Sequence, residues 1–197
     1  MPLEPQRFKY YKTQLSDLLQ SATALIRNYY DALSFQTPQL TAQANRIWEL
    51  SQRQRLVSGI NEAAAATLLS ACHDAYQPIY QFINQQHKTV AEVAILVADF
   101  ERECQVLTEE LGQAEELRRC TLAEWSSWLA QALSVLQTQA KFLELDSHCL
   151  LPTLVQSSTL KKFTQDLELT THYKAKIIMG LTQAVRRPEL LPFTLAT

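Results

Sequence analysis

The chain has 197 residues, of which 47 % are hydrophobic and 19 % are charged, and its formal net charge is −2 at pH 7. This composition supplies a sizeable apolar core, which excludes an intrinsically disordered chain, and the small net charge argues against a general polyanion binder. Only three glycines occur, too few for the tight turns of a β-protein or for glycine-rich phosphate loops. The composition therefore predicts an all-α fold.

No targeting signal stands out. The first twelve residues, MPLEPQRFKYYK, are charged and lack the apolar region of a secretory signal. No stretch reaches the roughly 18 uninterrupted apolar residues of a membrane span. The cysteines lie far apart without a C-x-x-C pair, so we expect reduced thiols. A cytoplasmic protein without membrane association is predicted.

The first predicted element is a long amphipathic helix. Its apolar residues recur at steps of three and four; they are Phe8, Tyr11, Leu15, Leu18, Ala22, Leu25, Tyr29 and Leu33. In FQTPQL, Thr37 is a good N-cap and Pro38 suits the first helical position. We therefore expect a break at Gln36 and a second helix from Pro38 to about Val57, which buries Leu40, Ala44, Ile47 and Trp48.

The next predicted break is VSGIN, where Gly59 suits a left-handed cap and Asn61 suits an N-cap. A third helix follows, and Pro78 predicts a kink or break near Ala75 because proline removes a hydrogen bond. The apolar pattern then resumes at Ile79, Tyr80 and Ile83. Capping-box patterns at TVAE (89–92) and TLAE (121–124) predict the starts of a fourth and a fifth helix.

The fourth and fifth predicted helices each carry an apolar seam. The fourth seam contains Val93, Val97, Phe100, Cys104, Leu107 and Leu111, and the fifth contains Leu122, Trp125, Leu129, Ala132, Leu136, Ala140 and Leu143. Trp125 lies within its seam, which predicts core burial. Trp128 borders the seam, and it could equally sit at the core edge or on a partner surface.

The segment after Leu150 is less regular. Two shorter helices are expected, joined around Leu169 to Thr171, and Pro188 ends the second one. An apolar tail follows, with Leu190, Leu191, Phe193 and Leu195. The predicted organisation is a main helical bundle over residues 1–150, with a C-terminal helix pair and its tail over residues 151–197 packed on the same domain. The predicted fold is an antiparallel bundle of five to seven helices.

The sequence contains few residue patterns that are typical of a catalytic or cofactor site. Cys72 and His73 are neighbours that point about 100° apart on a helix, so they are poorly placed to serve one ion. Cys72 is better interpreted as a small core residue with His73 in solvent. No Glu-x-x-His pair of a carboxylate di-metal bundle occurs. We therefore expect no enzyme, no metal site and no cofactor.

The leading hypothesis is an adaptor, assembly factor or regulatory subunit that binds a protein partner through apolar helix faces or its tail. Aromatic and leucine anchors dominate such interfaces, which singles out Trp48, Trp128, Leu191 and Phe193. A third possibility is an enzyme or small-ligand carrier that uses a cavity in the bundle. The seam of the first helix also leaves a homodimer open.

The alternative hypothesis is a nucleic-acid-associated factor. The two C-terminal helices have the order of a helix-turn-helix, and basic residues lie on the second helix. The candidate contacts are Lys174, Lys176, Arg186 and Arg187. Glu168 stands where a glycine is common in that joint, and no dense basic patch supplies phosphate contacts, so this hypothesis ranks second.

Overall fold

A computed structural model of the chain describes residues 5–110, 116–168 and 171–186. These residues form five helices and no strand, which confirms the all-α prediction for this part of the chain. The helices are α1 (Pro5–Val57), α2 (Glu62–Glu110), α3 (Glu116–His148), α4 (Ser157–Asp166) and α5 (Thr171–Arg186). Within the described ranges, no helix has an apolar stretch long enough to cross a membrane.

Pro38 lies inside α1, so the predicted break at Gln36 is wrong. Leu33 and Leu40, seven residues apart on either side of the proline, are each only 2 % exposed. The Thr37 hydroxyl donates a hydrogen bond to the Leu33 carbonyl at 2.7 Å, which adds a bond in the turn before the proline. The buried apolar stripe thus stays on the same face of the helix before and after the proline. Its burial outweighs the roughly 3 kcal/mol penalty of an interior proline.

The same continuity holds in α2, which contains Pro78 and the TVAE sequence. Ala75 and Ile79 are buried on either side of Pro78, and Val90 and Val93 are buried beside TVAE. The helix does not break at the proline, so only the kink is left of the prediction made there, and the helix start predicted at Thr89 is wrong. A capping box needs free amides at a helix start, and the preceding helical turns already satisfy these amides.

The predicted seams are largely confirmed, with local corrections. On α1, the buried residues are Leu19 and Ile26 rather than Leu18 and Leu25. On α2, Tyr80 is exposed. On α3, which begins five residues before the predicted start at Thr121, Trp125 is only half-buried. The remaining predicted α3 seam residues are buried: Leu122, Leu129, Ala132, Leu136, Ala140 and Leu143. Leu111 lies outside the described residues.

The turn between α1 and α2 has the predicted cap. The Asn61 side-chain oxygen accepts a hydrogen bond from the backbone N–H of Ala64 at 3.0 Å, which satisfies one of the amides left free at the start of α2. Gly59 does not adopt a positive φ. The left-handed cap expected there is therefore wrong, and the chain turns with ordinary backbone angles.

Contacts divide the chain into two compact units that interleave along the sequence. The first unit comprises Met1–Asn28, Thr89–Leu136 and Thr170–Thr197, and the second comprises Tyr29–Lys88 and Gln137–Leu169. The core of the first unit includes Leu15, Leu19, Phe100, Leu107, Leu129 and Ile177; that of the second includes Ile47, Cys72, Ile79, Leu143 and Phe163. Helix α5 thus belongs to the first unit and α4 to the second.

Candidate interaction sites

Trp128 joins α3 to α5 within the first unit. Its indole Nε1–H donates a hydrogen bond to the Lys176 carbonyl at 3.3 Å. A Cβ atom added at Gly180 would overlap the indole ring at Cε2, far inside van der Waals contact. Gly180 therefore lets the indole ring lie directly against the backbone of α5. Trp128 acts as an intramolecular anchor, whatever else it contacts.

Two cavities lie beside this indole ring. The smaller has a volume of about 180 Å³ and is lined by Trp128, Gln131, Ala132, Ser134, Val135, Lys176 and Ile177. The larger has a volume of about 450 Å³ and is lined by Ala123, Glu124, Ser127, Trp128, Gln131, Lys176 and Met179. Trp128, Gln131 and Lys176 belong to both linings. Together the cavities make a groove between α3 and α5, which we call the α3–α5 groove.

Trp125 extends the aromatic surface next to Trp128. The two indole rings meet edge to face, with centroids 5.7 Å apart, a favoured aromatic geometry. Both side chains are half-buried. The edge-to-face contact supports the position of the Trp128 ring at the groove.

The second unit exposes apolar side chains at the end where α1 meets α2. Leu56 and Ile60 are 76 % and 87 % exposed, and Leu154 in the segment between α3 and α4 is 55 % exposed. The Arg55 guanidinium donates to the Val155 carbonyl at 2.9 Å and to the Pro152 carbonyl at 3.4 Å. This pairing holds the segment around Leu154 beside the end of α1. We call Leu56, Ile60 and Leu154 the apolar end.

A charged cluster connects α3 and α4 in the second unit. Lys162 Nζ lies 2.6 Å from Asp146 Oδ1 and 2.9 Å from Asp166 Oδ2. Burial raises the pKa of the Asp146 carboxyl, and a hydrogen bond between the two carboxyl groups raises it further. The amide of Gln139 donates to the Asp166 carbonyl. The cluster positions α4 on α3, and its only described cation, Lys162, already pairs with both carboxylates.

The described cysteines have the character of core residues. Cys72 and Cys104 are buried, and Cys149 is half-buried. Burial raises the pKa of the Cys72 thiol, and burial together with nearby glutamates raises that of Cys104 to about 12. The predicted core position of Cys72 and solvent position of His73 are confirmed. In the described ranges, no three His, Cys, Asp or Glu side chains group so as to hold a metal ion.

The structure describes part of the predicted contact sets. Trp48 is half-buried on α1, while Leu191 and Phe193 lie outside the described residues. Of the basic set, Lys174 and Lys176 are exposed on α5, whereas Arg187 and the side chain of Arg186 lie outside the described part. Sequence reasoning missed the apolar end. Its signal was the presence of Ile60 and Leu154 in stretches predicted to be connections, where apolar side chains lack an obvious core, with Leu56 at the end of a predicted helix beside one of them.

No protein-family model, curated protein or solved structure matches this chain. Its function is therefore inferred from the geometry of the described sites.

Proposed function

We propose that the protein is a non-catalytic helical interaction protein, an adaptor, assembly factor or regulatory subunit, that binds a protein partner. The observation that carries this proposal is the apolar end, where Leu56, Ile60 and Leu154 project into solvent. Single exposed apolar residues are normal on a protein surface, whereas exposed apolar residues on joined segments are typical of interaction sites. Here the hydrogen bonds of Arg55 join the two segments. The cytoplasm is the location that we propose, on the sequence grounds given above.

The apolar end is fixed in position before any partner arrives. Arg55 ties the segment of Leu154 to the end of α1 by two hydrogen bonds, and the cap at Asn61 fixes the start of α2. A surface held in this way loses little conformational entropy on binding. Burial of a leucine or isoleucine side chain stabilises a complex by about 1.5–3 kcal/mol, so three such side chains can carry a substantial part of a moderate affinity.

We also infer that the helices of the second unit pack in an antiparallel bundle. Tyr76 Oη lies 3.5 Å from Ser147 Oγ, and His87 Nε2 lies 3.4 Å from Glu144 Oε2. Residue numbers therefore rise along α2 while those of their α3 partners fall. This order supports an antiparallel α2–α3 pair. The total of five to seven helices remains part of the same proposal.

The test is affinity capture of partners from a native lysate with the tagged full chain, with and without nuclease. The test variant replaces Leu56, Ile60 and Leu154 with serine. The control variant replaces Arg53 and Thr153 with serine, because both are exposed polar residues near the same end. We expect a protein that is captured in stoichiometric amount, survives nuclease, is lost with the test variant and is kept with the control.

Two results would contradict this proposal. One is capture of the same proteins by the test variant and the wild type, which would show that the apolar end binds none of them. The other is recovery of nucleic acid that disappears at higher salt and on changing Lys174 and Lys176 to alanine, which would favour the nucleic-acid alternative. Circular dichroism of both variants shows whether a lost partner reflects a lost fold.

A further inference from the structure

We propose that the α3–α5 groove is a binding site for a small aromatic carboxylate, with the ring in the smaller cavity and the carboxylate near Lys176. This inference concerns the first unit and is independent of the apolar end, which belongs to the second. The two proposals can therefore fail separately.

The smaller cavity has the lining of a small-ligand site. Trp128, Ala132, Val135 and Ile177 supply apolar surface, and Gln131 and Ser134 add neutral polar side chains. An apolar majority with a few polar groups is typical of ligand pockets. The indole N–H of Trp128 is already bonded to the Lys176 carbonyl, so the indole offers a ligand its aromatic surface. An aromatic ring is well suited to pack against that surface.

The volume of the cavity sets the size of the ligand. At about 180 Å³, it is close to the cavity of roughly 150 Å³ that accommodates benzene in an engineered protein. One six-membered ring with a short substituent therefore fits. The larger cavity of about 450 Å³ shares Trp128, Gln131 and Lys176, so it leaves room for the substituent to extend toward solvent.

The charge of the lining selects an anion. Among the described residues, Lys176 is the one charged residue that lines the smaller cavity, and it also lines the larger one. Glu124 lines only the larger cavity. A carboxylate at the smaller cavity, which Lys176 lines and Glu124 does not, would thus meet the cation rather than the acidic side chain. An exposed cation gives a modest contribution, so the carboxylate provides selectivity more than affinity.

The test follows the indole N–H signals of the ¹⁵N-labelled full chain by NMR. Three tryptophans occur, and changing each to phenylalanine assigns its signal. Phenylacetate is the probe, and 2-phenylacetamide is its neutral analogue of the same shape. We expect phenylacetate to shift the Trp128 signal saturably in the millimolar range, as suits so small a ligand. The Trp48 signal should not move, and the amide should bind about two- to fivefold more weakly.

Matched variants locate the site. Ala132→Leu fills the smaller cavity, whereas Ala130→Leu adds the same side chain at an exposed position two residues away on α3. Lys176→Met removes the charge at the groove, and Lys174→Met removes one from the same helix outside both linings. We expect Ala132→Leu to abolish the shift and Lys176→Met to weaken binding about two- to fivefold. Both control variants should bind as the wild type does.

Three results would overturn the proposal. In the first, the Trp128 signal stays unchanged as phenylacetate is added throughout the millimolar range. In the second, the amide binds as tightly as the acid, which excludes an anion site. In the third, the Trp128 signal moves on dilution of the protein and not with phenylacetate, which assigns the groove to an interface between copies of the chain. If Ala132→Leu disturbs the fold, the comparison of acid with amide and of Lys176→Met with Lys174→Met still decides the outcome.

Discussion

Gly180 shows how one residue decides where two helices meet. Alanine in place of a helical glycine usually stabilises a protein by about 0.5–1 kcal/mol. At Gly180, however, the new methyl group would overlap the Trp128 indole ring. Overpacking of this kind costs about 1–3 kcal/mol, so we expect Gly180→Ala to lower the free energy of unfolding, measured by chemical denaturation.

Gly59→Ala is the matched control, because no atom lies within 4 Å of a Cβ built at that residue. Its effect should stay within about 0.5 kcal/mol of zero. If Gly180→Ala proves as stable as the wild type and leaves the tryptophan fluorescence unchanged, the Trp128 indole does not lie against α5 as described.

Part of this contact was visible in the sequence. A glycine within a helical pattern often marks a close approach by another group, and Gly180 is one of only three glycines. The partner was not visible, because Trp128 lies 48 residues from Lys176 and periodicity within one helix does not identify contacts with another. The same limit explains why the exposure of Ile60 and Leu154 was missed.

At the scale of the element, the proline inside α1 leads us to expect that its replacement stabilises the protein. Pro38 is exposed and lies within the helix, so its replacement by alanine removes a helix penalty without opening a cavity. Part of the gain is offset because alanine makes the unfolded chain more flexible. We expect Pro38→Ala to raise the free energy of unfolding by about 1–2 kcal/mol.

Gln39→Ala, at the neighbouring exposed position, should change the free energy of unfolding by less than about 0.5 kcal/mol. Loss of stability in Pro38→Ala would instead indicate a helix start at this proline, as the local sequence suggested.

The attachment of α4 predicts a pH dependence. The pKa of Asp146 is raised from 3.8, chiefly by burial. Its contribution to stability is therefore present below pH 3.8 and declines as the pH rises through the raised pKa. Asp146→Asn cannot ionise and avoids this decline. Urea unfolding over a pH series should show the stability of Asp146→Asn increasing relative to wild type as the pH rises through this range.

The contribution of Asp166 to stability has the opposite pH dependence. The hydrogen bonds and charge of its partners lower the pKa of Asp166 despite partial burial, so its contribution is present above pH 3.8 and lost as the pH falls. Asp166→Asn should therefore lose stability relative to wild type toward neutral pH. Parallel pH profiles for the two variants would show that the pKa values of the two carboxyl groups are not shifted in opposite directions.

Helix boundaries were harder to predict than helix faces. The three-and-four spacing identified most buried residues, because an apolar stripe has to face a core. Local chemistry alone predicts helix boundaries at Pro38 and at the TVAE sequence. Yet Leu33 and Leu40, and likewise Gln86, Val90 and Val93, keep the heptad phase across these points. When the spacing of buried residues continues across a local stop signal, it indicates a continuous helix. Tertiary packing, rather than the local signal, then determines where the helix ends.

At the scale of the whole molecule, both units depend on residues beyond position 150. Val155 and Phe163 are fully buried in the second unit, and Ile177 and Leu181 are buried in the first. A chain that ends after Leu150 lacks all four. In this shortened chain, we expect hydrogen exchange to show less protection of the backbone amides than in the full chain. The loss should occur in both halves of α1, over residues 15–26 and over residues 40–51.

A chain that ends after Arg186 is the control, since it keeps all five described helices. It should retain the protection of the full chain in both stretches. Native protection in the chain that ends at Leu150 would show that α4 and α5 contribute little to either core.

The unbroken phase of α1 also restricts how the gene can vary in length. Buried positions run from Leu15 to Leu33 and on through Leu40 to Ile47 in one register. Insertion of one residue rotates everything beyond it by about 100°, whereas insertion of seven leaves an offset of only about 20°. Natural variation in the length of this helix is therefore expected to occur in steps of seven codons, and single-codon insertions are expected to collect in the connections between helices.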